Sequence, residues 1–247
     1  MNTVSLYKIN EFDKMDPFLI TLVSSSDYWM YISSTGCLSA GRRNAETCLF
    51  PYVTDDLLHS NKRITGPSTI IKAQDNKEQE LIWEPFSIGA SNYKLKRNLY
   101  KNATGTKVIF EEVNLSLQLT FKYKWSVSKG FGFVRSCSII NNSNELSKIR
   151  VVDGLKNIMP AGVELSTQQT MSNLSNAYRQ SEIISPLNYA IFSLTSLLMD
   201  RPEPGESLRA NVAWCISKNK YKSSLDSDQI NNFRESSRFE ESHQLNG

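Results

Sequence analysis

Between Leu117 and Val127 apolar and polar residues alternate without a break. Leu117, Leu119, Phe121, Tyr123, Trp125 and Val127 fall on one face, and Gln118, Thr120, Lys122, Lys124 and Ser126 on the other. A period of two predicts a strand buried on one side and wet on the other, the usual state of an antiparallel strand. Leu208, Ala210, Val212, Trp214 and Ile216 repeat the device against Arg209, Asn211 and Ser217. Residues 93–100, 107–113 and 131–140 are strand-like with looser alternation, and shorter apolar runs at 18–23, 28–33, 69–72, 80–83, 148–152 and 189–198 add further strands. About a dozen strands exceed one ordinary sheet. The predicted fold is therefore mostly β, a two-layer antiparallel β-supersandwich with one or two short helices, and a closed barrel is the competing arrangement.

Two stretches break this pattern. Met171, Leu174 and Tyr178 recur at helical spacing beside Ala177, after Ser166 and Gln169 in capping-box positions, which predicts a helix over 167–180. Residues 218–247 carry five basic and five acidic side chains and few apolar ones, with at most a short helix over 229–238. The expected organisation is a β-domain over 1–217 followed by a linker-like C-terminal tail over 218–247. No internal repeat of fixed period is visible.

Composition agrees with a β-rich chain: 247 residues hold 10 Ala but 33 Ser and 21 Asn, which weakens helices and favours strands and turns. Lys and Arg number 28 against 25 acidic residues, a net charge of +3, so the overall balance does not mark the chain as a nucleic-acid binder. Met1 to Asn10 lack the apolar core of a signal peptide, and no run of some 18 apolar residues occurs, so the expectation is a cytoplasmic protein without a membrane partner. Cys37, Cys48, Cys137 and Cys215 have no CxxC spacing, and His59 and His243 do not complete a zinc signature. Reduced thiols and no bound metal or cofactor are expected. Sequons at Asn102, Asn114, Asn141 and Asn173 are what a chain rich in Asn and Ser yields by chance.

The candidate chemistry is sparse. Gly36 and Gly41 bracket a connection that ends in Arg42, Arg43 and Asn44, whose planar donors suit sugar hydroxyls or phosphate; the other reading pairs the arginines with Glu46, Asp55 or Asp56. Trp83 and Glu84 precede Pro85, where an indole can stack on a pyranose while a carboxylate accepts from its hydroxyls, or Trp83 is simply core. Arg97 opens a polar and aromatic stretch to Asn102 that also suits a solvated sheet edge. His59, close to Asp55 and Asp56 in a short helical turn, is a conceivable base. No GxSxG elbow accompanies it, and Glu111 and Glu112 must point to opposite faces of a strand, so neither a serine hydrolase nor a glycosidase pair emerges.

Taken as a set, five segments resemble the N-terminal region of large proteins related to cellobiose phosphorylase. They are Tyr28-Trp-Met-Tyr-Ile-Ser-Ser-Thr-Gly-Cys-Leu-Ser-Ala-Gly-Arg-Arg-Asn44, Leu49-Phe-Pro-Tyr-Val-Thr-Asp-Asp56, Trp83-Glu-Pro-Phe86, Arg97-Asn-Leu-Tyr-Lys-Asn102 and Val152-Asp-Gly-Leu-Lys-Asn157. The resemblance spans about residues 18–217. It implies a galactose-mutarotase-like β-supersandwich that packs against a helical (α/α)6 catalytic domain and helps to form a homodimer. It also implies inverting phosphorolysis of a β-linked disaccharide by inorganic phosphate, with the acid supplied by the helical domain. The expected role of this chain is thus non-catalytic, with Arg42, Arg43, Asn44, Asp55, Asp56, Trp83, Glu84 and Arg97 as carbohydrate-binding or interdomain positions. A free-standing lectin-like module is the alternative, and an aldose 1-epimerase a more distant one.

Overall fold

The computed structural model of the protein describes residues 5–60, 64–74, 79–87, 92–196, 209–236 and 238–246. In chain order its elements begin with β1 (Leu6–Asn10), β2 (Leu19–Leu22), β3 (Tyr28–Ser33), β4 (Leu38–Arg42), β5 (Cys48–Phe50), α1 (Asp55–Ser60), β6 (Gly66–Gln74) and β7 (Glu80–Trp83). They continue with β8 (Leu95–Asn102), β9 (Lys107–Asn114), β10 (Leu119–Ser128), β11 (Gly132–Asn141) and β12 (Ile149–Lys156). The remainder are α2 (Leu165–Thr170), α3 (Ser172–Ala177), β13 (Arg179–Ile184), β14 (Tyr189–Leu194), β15 (Asn211–Trp214), α4 (Asp228–Ser236) and β16 (Gln244–Asn246). The chain divides into two compact units, one formed by Met1–Ser39 and Val53–Lys156, the other by Ala40–Tyr52 and Asn157–Gly247.

In the first unit β1-β8-β9-β10-β11 form an antiparallel five-stranded sheet. The alternation along β10 resolves as predicted: Leu119, Phe121, Tyr123 and Trp125 are buried, and with Leu99, Val108 and Phe110 from β8 and β9 they make the inner face. The Phe110 and Tyr123 rings stack at 4.8 Å, and Phe12 and Phe86 meet Phe110 edge-on. A second antiparallel sheet, β12-β6-β7, adds Ile70, Ile71 and Trp83 to the core, and the β2–β3 hairpin adds Ile20, Leu22, Met30 and Ile32. Each such side chain contributes about 1.5–3 kcal/mol by leaving water. Gly66 sits at φ +109°, where a Cβ would stand 3.1 Å from the Gly36 carbonyl oxygen, so this turn requires glycine. Asn102 and Asn114 are buried, and the Asn102 side chain is bonded to Thr104, Thr106 and the Lys107 N–H, which fits a turn anchor rather than a glycan acceptor.

In the second unit the end of β4 pairs with β5 across a bulge at Ala40/Gly41, and β15-β14-β13-β16 form an antiparallel sheet. Ala40, Cys48, Phe50, Ile158, Val163, Phe192 and Phe233 are among its buried apolar residues. Asn211 on β15 donates to the Cys48 and Met159 carbonyls at 3.2 and 2.8 Å, and Arg179 donates to the Ile158 carbonyl at 2.8 Å.

The mostly β character holds, but the strands do not pool into two large sheets. They are divided among four antiparallel sheets, because many strands are only three or four residues long and each ladder ends within a few strands. One-sided burial, which alternation reports, is met as well by narrow sheets as by wide ones. The single helix expected over 167–180 is instead two six-residue helices broken at Met171, whose φ of −135° and ψ of 36° are not helical. The predicted cap is not used. The Leu165 N–H is taken by Glu46 Oε2 at 2.7 Å, and from Arg179 onward the chain joins the ladder with β14, so strand pairing overrides the helical spacing. Met171, Leu174 and Tyr178 are exposed and Ser175 is buried, the reverse of the predicted burial. Residues 218–247, expected as a linker-like tail, carry α4 with Phe233 buried and β16 paired to β13; the helix falls close to its predicted position. Among the described residues no helix is long and apolar enough to cross a membrane.

Candidate functional site

Adjacent carboxylates on β9 organise the two faces of the five-stranded sheet. Glu112 points inward and its side chain is fully buried. Its Oε1 accepts the Trp83 indole N–H at 2.6 Å, and its Oε2 accepts the Arg97 Nε–H at 2.6 Å and the Phe86 N–H at 2.8 Å. Arg97 also donates to the Ser87 carbonyl at 2.8 Å. Three donors thus hold one desolvated carboxylate, the condition under which a buried ion pair is tolerated. Trp83 is 1% exposed, so the core reading of its indole prevails and stacking on a sugar is excluded as it stands. Arg97 is spent on the same carboxylate.

Glu111 points to the other face and accepts from Asn98 and Tyr100 at 2.8 Å each and from Lys122 at 2.5 Å. Burial alone would raise its pKa, but the Lys122, Asn98 and Tyr100 bonds outweigh it and leave the carboxyl below its ordinary value. Burial and the Glu111 carboxylate together push the Tyr100 phenol up to about 12. Near the inner face, Arg135 grips Asp153 with two bonds of 2.7 and 2.9 Å, and its guanidinium lies 5.1 Å above the Tyr123 ring. Thr69 donates to the same aspartate at 2.6 Å.

His59 sits on α1 between Ser33 and Asp55. Its Nδ1 is 2.8 Å from Ser33 Oγ and its Nε2 is 3.2 Å from Asp55 Oδ1. The three residue types are those of a serine triad, but the ring nitrogens are exchanged relative to one, and Ser33 is wholly buried with its Oγ already accepting the Thr35 N–H and meeting the Thr35 hydroxyl at 2.7 Å. A nucleophile must reach a substrate carbonyl. This one is enclosed, and the arrangement pins α1 to the end of β3. Asp56 is exposed and capped by the Thr54 hydroxyl, which holds its carboxyl below the ordinary range.

In the second unit Arg42, Arg43 and Asn44 form the exposed tip between β4 and β5, with Arg43 at φ 60°. Asn44 Oδ1 accepts the Glu46 N–H at 3.1 Å, the self-bonded turn typical of asparagine. Glu46 itself reaches Leu165, so it serves α2.

An accessible aromatic surface lies on β14 and β15. Tyr189 faces Trp214 and Ile191 faces Val212 in the ladder, and Leu187, Tyr189, Val212 and Trp214 line an open depression of about 390 Å³. Trp214 is 47% and Leu187 69% exposed. The alternation expected over 208–216 is met along Asn211–Trp214, with its apolar side facing water; Leu208 lies outside the described residues. Ladder register extends this face across β13 and β16 to Glu182, Gln180 and Gln244, a polar border beside an aromatic pair.

Of the eight predicted positions, Trp83 and Arg97 meet at Glu112, Glu84 follows in the adjoining turn, Asp55 and Asp56 lie on α1, and Arg42, Arg43 and Asn44 belong to the second unit. The predicted set passes over Glu112, which holds Trp83 and Arg97, and Trp214, an exposed indole. The signal for Glu112 was its inward parity on β9, opposite Phe121. Among the described residues no three His, Cys, Asp or Glu side chains gather as metal ligands. No protein-family model matches the chain, and no curated protein matches it in sequence.

Proposed function

We propose that the chain is a non-catalytic β-rich domain of carbohydrate metabolism, a scaffold of the kind found at the N-terminus of cellobiose phosphorylase-like enzymes. In this reading turnover depends on a helical (α/α)6 partner, with inorganic phosphate as the co-substrate. The observation that carries it is the commitment of the reactive groups: Glu111, Glu112, Asp153 and His59 are each bonded within the first unit, and Ser33 is enclosed. General acid catalysis needs a carboxyl that faces substrate. Packing of the five-stranded sheet against β12-β6-β7 through Trp83 and Glu112 supports a layered scaffold, although sheets of three to five strands are also the size of propeller blades. Incubation of the pure chain with cellobiose and related disaccharides plus phosphate is expected to release no sugar 1-phosphate. Sustained release would refute the reading.

The Trp214–Tyr189 pair favours a second reading, a lectin-like module that binds a neutral oligosaccharide without a partner. Aromatic faces bordered by amides and carboxylates suit the apolar side and the hydroxyl rim of a pyranose. Calorimetry with an oligosaccharide panel separates the two readings. The module binds and loses binding in Trp214→Ala, whereas the scaffold shows no heat.

A further inference from the structure

We infer that the outer face of the five-stranded sheet is a binding surface for an anionic polysaccharide, a polymer of uronate-type sugars. The inference is independent of the function proposed above, because it rests on the lysines of this face, none of which that reading uses. Ladder register places Lys8, Tyr100, Ile109, Lys124 and Ser136 in one row across β1, β8, β9, β10 and β11. The next row is Asn10, Asn98, Glu111, Lys122 and Ser138; beyond it lie Lys96, Val113 and Thr120, and beyond the first row, on its other side, lie Lys107 and Ser126. Directly opposed residues in a ladder share a face. Lys8, Lys96, Lys107, Lys122 and Lys124 therefore project from one surface, and among the described residues of these ladder rows Glu111 is the one carboxylate.

Charge is concentrated here, since the whole chain carries only +3. The contacts of these lysines leave most of that charge uncompensated. Lys122 pairs with Glu111, and the ammonium groups of Lys8 and Lys122 lie 5.6 and 6.0 Å from the Tyr100 ring centre. Lys96 feels Glu11. Among the described residues, Lys107 and Lys124 are in ion pairs with no carboxylate. Ammonium groups on neighbouring strands and at alternate positions along one strand stand roughly 5–7 Å apart at their backbones, so a polymer with regularly repeated anions gains from several at once.

The chemistry of the face favours carboxylated sugars over nucleic acid. Single-stranded nucleic acid is held by bases stacked on open aromatic rings, and phosphate by arginine forks. Here Tyr100 is the one aromatic residue in these rows, two ammonium groups lie over it, and its hydroxyl is given to Glu111; no arginine stands in these rows among the described residues. Exposed Ser136 and Ser138 alternate along β11 beside the lysines and offer hydroxyl partners for a sugar chain.

The test is fluorescence polarisation with labelled polygalacturonate, with dextran as the uncharged control and single-stranded RNA as a third arm, at low and raised salt. Polygalacturonate is expected to bind, dextran to stay free, and the affinity to fall as salt rises. The triple variant Lys8→Glu, Lys107→Glu, Lys124→Glu is expected to lose roughly tenfold or more at low salt, as each lost cation removes an electrostatic contact. A Lys→Gln triple at the same positions reads the same surface with less repulsion if the first variant does not fold. No binding of polygalacturonate at low salt, equal binding by the variants, or tighter binding of RNA than of polygalacturonate overturns the inference.

Discussion

Trp83 Nε1 donates to Glu112 Oε1 at 2.6 Å, and both residues are buried, whereas the equally buried Trp125 has no acceptor for its Nε1 among the described residues. Two core tryptophans of the same unit therefore differ in one bond. Substitution by phenylalanine removes a similar volume from each, so the comparison isolates that bond. Trp83→Phe is expected to destabilise more than Trp125→Phe by about 1.5–3 kcal/mol, the worth of a hydrogen bond to a charged acceptor. Denaturant unfolding of the two variants checks it; equal losses would show that the indole bond contributes nothing.

The Glu111 carboxyl has a lowered folded-state pKa. A lowered value means that its stabilisation is present above the unfolded-chain value of 4.5 and is lost as pH falls below that through the folded value. Melting temperatures between neutral and acidic pH should decline below this point, and Glu111→Gln should flatten that part of the decline.

Tyr100 has the opposite sign. Its folded value, raised to about 12 from 10.0, means that its contribution is complete below pH 10 and disappears as pH climbs through 12. Absorbance titration of phenolate should show late-ionising tyrosines, of which Tyr100→Phe removes one while Tyr123, pushed higher still by burial, remains.

The four thiols should separate into two pairs. Burial raises the Cys37 thiol and pushes Cys48 up to about 11, while Cys137 and Cys215 are exposed. Thiolate, not thiol, is the attacking form. A disulfide reagent at pH 8 is expected to label two cysteines quickly in the native protein, and the other two only after denaturation. Mass mapping that finds Cys48 among the fast pair would contradict the packing around β5.

Phe233 on α4 is 4% exposed. Phe233→Ala should cost about 3–5 kcal/mol, and hydrogen exchange should rise in β13 and β16. If residues 218–247 were only a tether, neither change would appear.

How much of this was legible beforehand follows the physics of each signal. Alternation is a local property of one strand, and it located β10 and the inner-face residues Phe121, Tyr123 and Trp125 directly. It does not say which neighbour covers the apolar side, and for Trp214 that side is open. Short strands such as β5 and β16 hold too few residues for a period to register. β13 was hidden because Tyr178 and Gln180 continue a helical spacing until pairing with β14 decides the matter. At the site, Trp83 and Arg97 stand out in the sequence as separate candidates, and nothing local joins them. Glu112, not Glu84, is the partner, because cross-strand register brings together residues 29 apart in the chain.

The chain leaves the first unit within β4, between Ser39 and Ala40, returns between Tyr52 and Val53, and leaves again after Lys156. On the ribosome, the segment Ala40–Tyr52 emerges more than one hundred residues before Asn157 begins the rest of its unit. Its partners are still unmade while the lysine-faced sheet can already close. Nascent-chain experiments should therefore see the interrupted unit mature first, with β5 as a stranded hairpin arm awaiting the last third of the polypeptide.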